Sequence, residues 1–190
     1  MEFMANKTVD AKGLACPMPI VKTKKAISDL APGQVMEVQA TDKGSTSDIK
    51  AWAESTGHQY LGTVEEDDVL MHYLRKASDV EVENEGNYDD VLELQKLYEK
   101  VDEQEDTTIL DVREQAEYAF NHIPGALNIP LGELEDCMNE LNRDEMVYVI
   151  CRTGNRSSLA AQKLTQSGFR LIKNVVPGMS EWDGPTEKSI

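Results

Sequence analysis

The chain has 190 residues, 40% hydrophobic and 28% charged, the composition of an ordinary globular protein built as one large domain or two small ones. Its formal net charge of -16 argues against a nucleic-acid surface, and no apolar run approaches the roughly 20 residues that cross a bilayer. The charge is uneven: residues 1–76 carry 9 basic and 11 acidic side chains, whereas 77–106 carry 12 acids against Lys96 and Lys100, as a solvated connector does.

In chain order, residues 7–13 read as a short strand. A helix follows from 16 to about 30, with Ile20, Val21, Ala26, Ile27 and Leu30 at helical spacing and Pro32-Gly33 closing it. Residues 35–40 alternate as a strand, residues 42–45 turn, and a second helix runs from 48 to about 55. Two more strands, 59–64 and 69–75, flank the acidic turn at 65–68. The order β-α-β-α-β-β predicts a two-layer α+β sandwich with both helices on one face. Residues 77–87 read as an acidic linker. Tyr88, Val91, Leu94, Leu97, Tyr98 and Val101 then form a helical stripe. Beyond residue 107, strands at 109–112, 126–129, 146–150 and 171–175 alternate with helices at 114–120, 131–141 and 156–167. That pattern predicts an α/β domain with a mostly parallel sheet.

Three cysteines without CxxC spacing make neither a disulfide framework nor a zinc site, so no metal and no cofactor is expected. Residues 1–13 lack the apolar run of a signal peptide, and the expected location is cytoplasmic. What remains is whether a thiol sits where it would react.

Cys151 follows a buried strand and precedes a helix. The run Cys151-Arg152-Thr153-Gly154-Asn155-Arg156-Ser157 has the elements of an anion cradle. Gly154 and Asn155 tolerate left-handed backbone, so successive amides can converge; the helix adds its positive end and the two arginines add fixed charge. A cysteine there is expected as a thiolate whose cradle also steadies the terminal sulfur of a persulfide. The residues around it resemble the rhodanese family over roughly 106–184: LDVRE at 110–114, Glu117-Tyr118, HIPGA at 122–126, Asn128-Ile129-Pro130, the CRTGNRS loop, PGM at 177–179 and Trp182. The resemblance implies that Cys151 forms a persulfide inside a loop made by residues 152–156, with Asp111 and Arg113 structural. Asn121 and Pro177 depart from the family's usual glycines. Four residues separate Cys151 from Arg156. The related phosphatase and arsenate-handling loops are about one residue longer, which makes that chemistry a minor alternative.

Cys16 precedes a helix opened by Pro17, Met18 and Pro19. Prolines fit the first helical turn, where amides lack intrahelical partners, and Pro17 at the first position would leave Cys16 near the N-cap. The helix dipole with Lys22, Lys24 and Lys25 is expected to favour its thiolate. Residues 7–76 resemble the TusA/SirA family of sulfur carriers through Asp10, Gly13-Leu14, CPMP and the element order, with Lys22, Lys24, Asp42, Gly44, Asp48, Gly57 and His58 at family-like positions. The resemblance implies that Cys16 carries a persulfide between partners.

Cys137 reads as core, His58 and His122 as residues that hold turns, and His72 as a surface or edge residue. The expected organisation is a sulfur-carrier domain at 1–76, a linker at 77–87 and a rhodanese domain at 88–190. The expected function is a sulfurtransferase that loads Cys151 and relays sulfur through Cys16. Its donor would be thiosulfate, polysulfide, a low-molecular-weight persulfide or a protein persulfide. A non-enzymatic carrier and a thiol–disulfide switch are the alternatives.

Overall fold

The computed structural model describes residues 4–77, 87–103 and 107–190. They fall into two units, one on each side of residues 78–86. Most of the predicted linker therefore lies outside the described residues.

The N-terminal unit runs β1 (Lys7–Ala11), α1 (Met18–Ile27), β2 (Val35–Ala40), α2 (Ser45–Ser55), β3 (Gln59–Glu66) and β4 (Val69–Arg75). The sheet order is β1-β2-β4-β3, with β1 parallel to β2 and the other pairs antiparallel. Register explains the core. Met36, Val38 and Ala40 of β2 pair with Leu74, His72 and Leu70 of β4, so these six side chains share a face. Onto that face α1 lays Ala26 and Ile27, and α2 lays Ile49 and Ala53. The burial of Ser45, Ile49 and Ala53 at four-residue intervals is what holds α2 there. Both helices thus cover one face, as expected. Leu74 and Ile49 are fully buried, each contributing about 1.5–3 kcal/mol of hydrophobic stabilisation.

His72 corrects the sequence reading. It is completely buried on an interior strand, on the helix-facing side with Leu70 and Leu74. Helix α1 is shorter than expected, starting at Met18 with Pro17 as its N-cap, while α2 begins earlier, at Ser45.

The C-terminal unit runs β5 (Val91–Glu93), α3 (Leu94–Asp102), β6 (Thr108–Asp111), α4 (Gln115–Phe120), β7 (Leu127–Asn128), α5 (Leu134–Cys137), β8 (Val147–Ile150), α6 (Asn155–Gln166) and β9 (Ile172–Val176). Its sheet has the order β5-β9-β8-β6-β7, and every strand pairing in it is parallel. Residues Val147, Val149 and Cys151 point into a core with α6. Tyr148 and Ile150 point into an opposite core with Leu97 of α3. Covered on both faces, β8 can be an unbroken apolar run.

Two expectations fail here. The stripe from Tyr88 to Val101 is not one helix, because Val91–Glu93 pairs with β9 as a strand and only Leu94–Asp102 is helical. The helix expected at 131–141 is one turn, Leu134–Cys137, continued by a 3-10 turn at Met138–Glu140. Cys137 is accordingly half-buried at the edge of the core rather than within it.

Candidate functional site

After β6 the chain steps to β7 on one side and later returns as β8 on the other. In open α/β sheets such a switch point leaves a crevice at the strands' carboxyl ends. Cys151 lies there, directly after β8. Its sulfur, fully buried, receives two hydrogen bonds: from the Gly154 N–H at 3.1 Å and from the Ser157 hydroxyl at 3.3 Å. Gly154 is the N-cap of α6 and has φ +93°, which turns its amide inward. Its carbonyl faces away and accepts from Ser157 Oγ, the Ser158 amide and Asn174 Nδ2.

The segment after β9 braces the loop from behind. Met179 and Ser180 donate their amides to the carbonyls of Cys151 and Arg152 at 2.8 and 2.9 Å. That approach requires glycine at 178, where a Cβ would stand 2.6 Å from the Cys151 carbonyl oxygen and φ is +113°. The Pro177-Gly178-Met179 run therefore lies against the backbone of the Cys151 loop.

Arg156 does not supply free charge to the sulfur. Its guanidinium makes a bidentate pair with Glu117 at 2.7 and 3.0 Å, both groups buried. Glu117 also accepts from the Glu114 amide in the capping box of α4. The pair thus ties the first turn of α6 to the first turn of α4, a positioning role. A second buried pair, Arg113 with Asp111, sets the end of β6, and its guanidinium reaches the Asn121 carbonyl at 2.6 Å. His122 stacks on Tyr118 and pairs with Glu187, so it secures a turn and the C-terminal segment. His58 accepts the Ala77 amide at 3.1 Å, also as a turn-holder.

Cys16 is the opposite kind of site: exposed, one residue before the N-cap, in the turn between β1 and α1. Pro19 is buried at the second position of α1. Lys22 reaches back to the Asp10 carbonyl at 2.8 Å, while the Asp10 carboxylate accepts the Lys12 amide. The groups that act on the thiol are acidic. Its hydrogen bond to Asp48, followed by partial desolvation and the negative charges of Asp48 and Asp42, pushes the thiol above its ordinary range. The expected thiolate-favouring lysines are outweighed by these carboxylates. Asp42 and Asp48 come from the next loop and helix, so no local pattern around Cys16 marks them as its neighbours.

The family described as Sulfurtransferase TusA matches residues 7–76, and the Rhodanese-like domain matches residues 93–184. Over 183 residues the chain is 52% identical to "Putative sulfur carrier protein YrkF" of Bacillus subtilis (strain 168), covering 96% of this chain and 98% of that protein. The chain belongs to this family of fused TusA and rhodanese-like domains. Its N-terminal domain is also 53% identical over 73 residues to "Putative sulfur carrier protein YrkI" of the same organism, covering 38% of this chain and 97% of that protein. A crystal structure of a rhodanese-related protein from Thermoplasma volcanium is 36% identical, covers 52% of this chain and 97% of its own, and has a TM-score of 0.47. The TusA–rhodanese family is one of sulfur carriers and sulfurtransferases, and its two domains imply sulfur donors and acceptors. No helix among the described residues is long and apolar enough to cross a membrane.

Proposed function

We propose that Cys151 accepts sulfane sulfur as a persulfide and that Cys16 takes this sulfur from it and delivers it to an acceptor thiol or protein. The observation that carries the reading is the Cys151 sulfur at the end of β8, facing two hydrogen-bond donors inside a braced loop. A thiolate there attacks the sulfane sulfur of thiosulfate, polysulfide or a persulfide, and the donor leaves with the bonding pair. Gly154 N–H and Ser157 O–H stabilise the negative sulfur before and after each transfer. Thr153 and Asn155 complete the loop's backbone, and Arg152 enters it from the strand side.

Two features favour sulfur over an oxyanion substrate. The loop has four residues between Cys151 and Arg156. The Arg156 fork, which a tetrahedral oxyanion would need, is engaged by Glu117. In this reading residues 1–76 are the carrier domain, 77–87 an acidic connector and 88–190 the rhodanese domain. The connector makes the encounter of the two cysteines intramolecular, and the protein works in the reducing cytoplasm.

Intact mass after incubation with thiosulfate or inorganic polysulfide tests the assignment. The chain is expected to gain one sulfur atom at Cys151, and Cys151→Ala to lose thiosulfate:acceptor sulfurtransferase activity. Full activity in Cys151→Ala would reduce the second domain to a docking module.

A further inference from the structure

The Gly154 carbonyl has more donors than it can hold. Ser157 Oγ lies 3.0 Å from it, the Ser158 amide 3.1 Å and Asn174 Nδ2 3.3 Å. A backbone carbonyl offers two lone pairs, so three donors compete for two places. Of the three, Ser157 is the one that also faces the Cys151 sulfur, at 3.3 Å. Its hydroxyl has a single proton, and the acceptor that receives it depends on how well the other two donors fill the carbonyl.

The sheet delivers Asn174 to this carbonyl. Asn174 stands on β9 in register with Val149 of β8, so it shares the α6-facing side of the sheet with the core residues Val149 and Ile172. Strand β9 is interior, with β8 on one flank and β5 on the other, and the Asn174 amide donates to the Asp90 carbonyl at 2.9 Å. At 3% exposure Asn174 is a polar side chain in an apolar layer, and its Oδ1 is buried with no hydrogen-bond partner among the described residues. That oxygen costs stability. What the side chain supplies is its other end, the donor on the Gly154 carbonyl. With Asn174 on one lone pair and the Ser158 amide on the other, the Ser157 proton is left for the sulfur. Without Asn174 a lone pair opens beside Ser157 Oγ and competes with the sulfur for that proton.

Resting on the reading of Cys151 as the sulfur-accepting residue, we propose that Asn174 is a positioning residue of sulfur loading: by occupying the Gly154 carbonyl it commits the Ser157 hydroxyl to the Cys151 sulfur. With thiosulfate as donor the step balances without an oxidant or a proton. The Cys151 thiolate attacks the outer sulfur, a Cys151 S–S bond forms, the S–S bond of thiosulfate breaks, and sulfite leaves with the bonding pair. Cys151-S⁻ and thiosulfate become Cys151-S-S⁻ and sulfite. The cysteine side carries negative charge before and after the transfer, so the Ser157 donor faces charge at both ends of the step. Asn174 makes no hydrogen bond to the sulfur and acts only through the acceptor that Ser157 finds.

A double-mutant cycle on the full chain tests this. Asn174→Leu keeps much of the side chain's volume and removes the donor together with the unpartnered oxygen. Asn174→Ala goes through the same cycle, so the result does not depend on how leucine packs. Parent, single and double variants, each checked by its melting curve, are mixed with excess thiosulfate, and sulfur gained at Cys151 is followed by quenching and peptide mass. Asn174→Leu is expected to slow loading about three- to tenfold, the worth of one neutral hydrogen bond. Asn174→Gln, with the same donor on a longer arm, is expected to recover part of that loss. In a Ser157→Ala background Asn174→Leu is expected to change the rate by less than about twofold, because no hydroxyl remains to be redirected. A role confined to holding the loop's shape slows loading by the same factor in both backgrounds, and that result overturns the proposal. So does a folded Asn174→Leu that loads at the parent's rate. In either case Cys151 still loads and the reading beneath stands. A parent chain that gains no sulfur at Cys151 overturns that reading, and the proposal with it.

Discussion

Ser157 and Gly154 define the chemistry of Cys151 atom by atom. Ser157 has one proton and two acceptors within reach, the Cys151 sulfur at 3.3 Å and the Gly154 carbonyl at 3.0 Å. A negative sulfur claims that proton, since bonds to charged acceptors are the stronger. Ser157→Ala is expected to slow persulfide formation by about ten- to a hundredfold, the equivalent of the 1.5–3 kcal/mol of one charge-assisted bond. A single-turnover rate with thiosulfate checks it. Gly178→Ala places a methyl group 2.6 Å from the Cys151 carbonyl and is expected to cost about 2 kcal/mol or more in urea unfolding. Native alkylation followed by peptide mapping should label exposed Cys16 before buried Cys151. Because the Cys16 thiol is raised, its labelling should reach half-maximum at a pH above that of an ordinary thiol.

Among elements, α4 and α6 are joined by Glu117 and Arg156, and this tie sets where the Cys151 loop begins. Glu117→Gln leaves a buried guanidinium without its countercharge, expected to cost about 3–5 kcal/mol, while replacing both partners by methionine should cost clearly less. Chemical unfolding of the two variants compares them directly. The β-α-β-α-β-β order was legible because its helices and strands differ in period and are separated by turn residues. Strand β5 was not legible: three residues run straight into α3, and Val91 falls by chance on the helix's own spacing. His72 was misplaced although the signal existed, since it alternates with the buried Leu70 and Leu74 and so shares their face. The Cys151 loop could be read from contiguous residues, whereas Glu117 under Arg156 and Asp48 beside Cys16 are brought in by tertiary folding.

At the scale of the molecule, the N-terminal domain buries a histidine whose proton uptake opposes folding. Burial lowers His72 from its ordinary 6.5 to about 4. Between these values the unfolded chain binds the proton and the folded one does not. The His72 contribution is therefore intact above about pH 6.5, declines as pH falls toward 4 and falls no further below it. The slope is at most ~1.4 kcal/mol per pH unit. Urea unfolding between pH 5 and pH 7 should show a stability difference between the parent chain and His72→Gln that narrows with acid; a constant difference would refute the titration.

The two domains carry unlike sulfur sites on one chain, a buried sulfur among donors and an exposed one among carboxylates. Their exchange of sulfur is the central claim, and single-turnover decay of the Cys151 persulfide tests it most directly. Load the full chain with one equivalent of isotopically labelled sulfane sulfur, remove the donor, and follow the label at both cysteines in the parent and in Cys16→Ser. The relay predicts that label leaves Cys151 faster when Cys16 is present and appears on Cys16 at the same rate, independent of protein concentration. A Cys151 persulfide that decays equally fast in Cys16→Ser, with no label arriving at Cys16 in the parent, would contradict it.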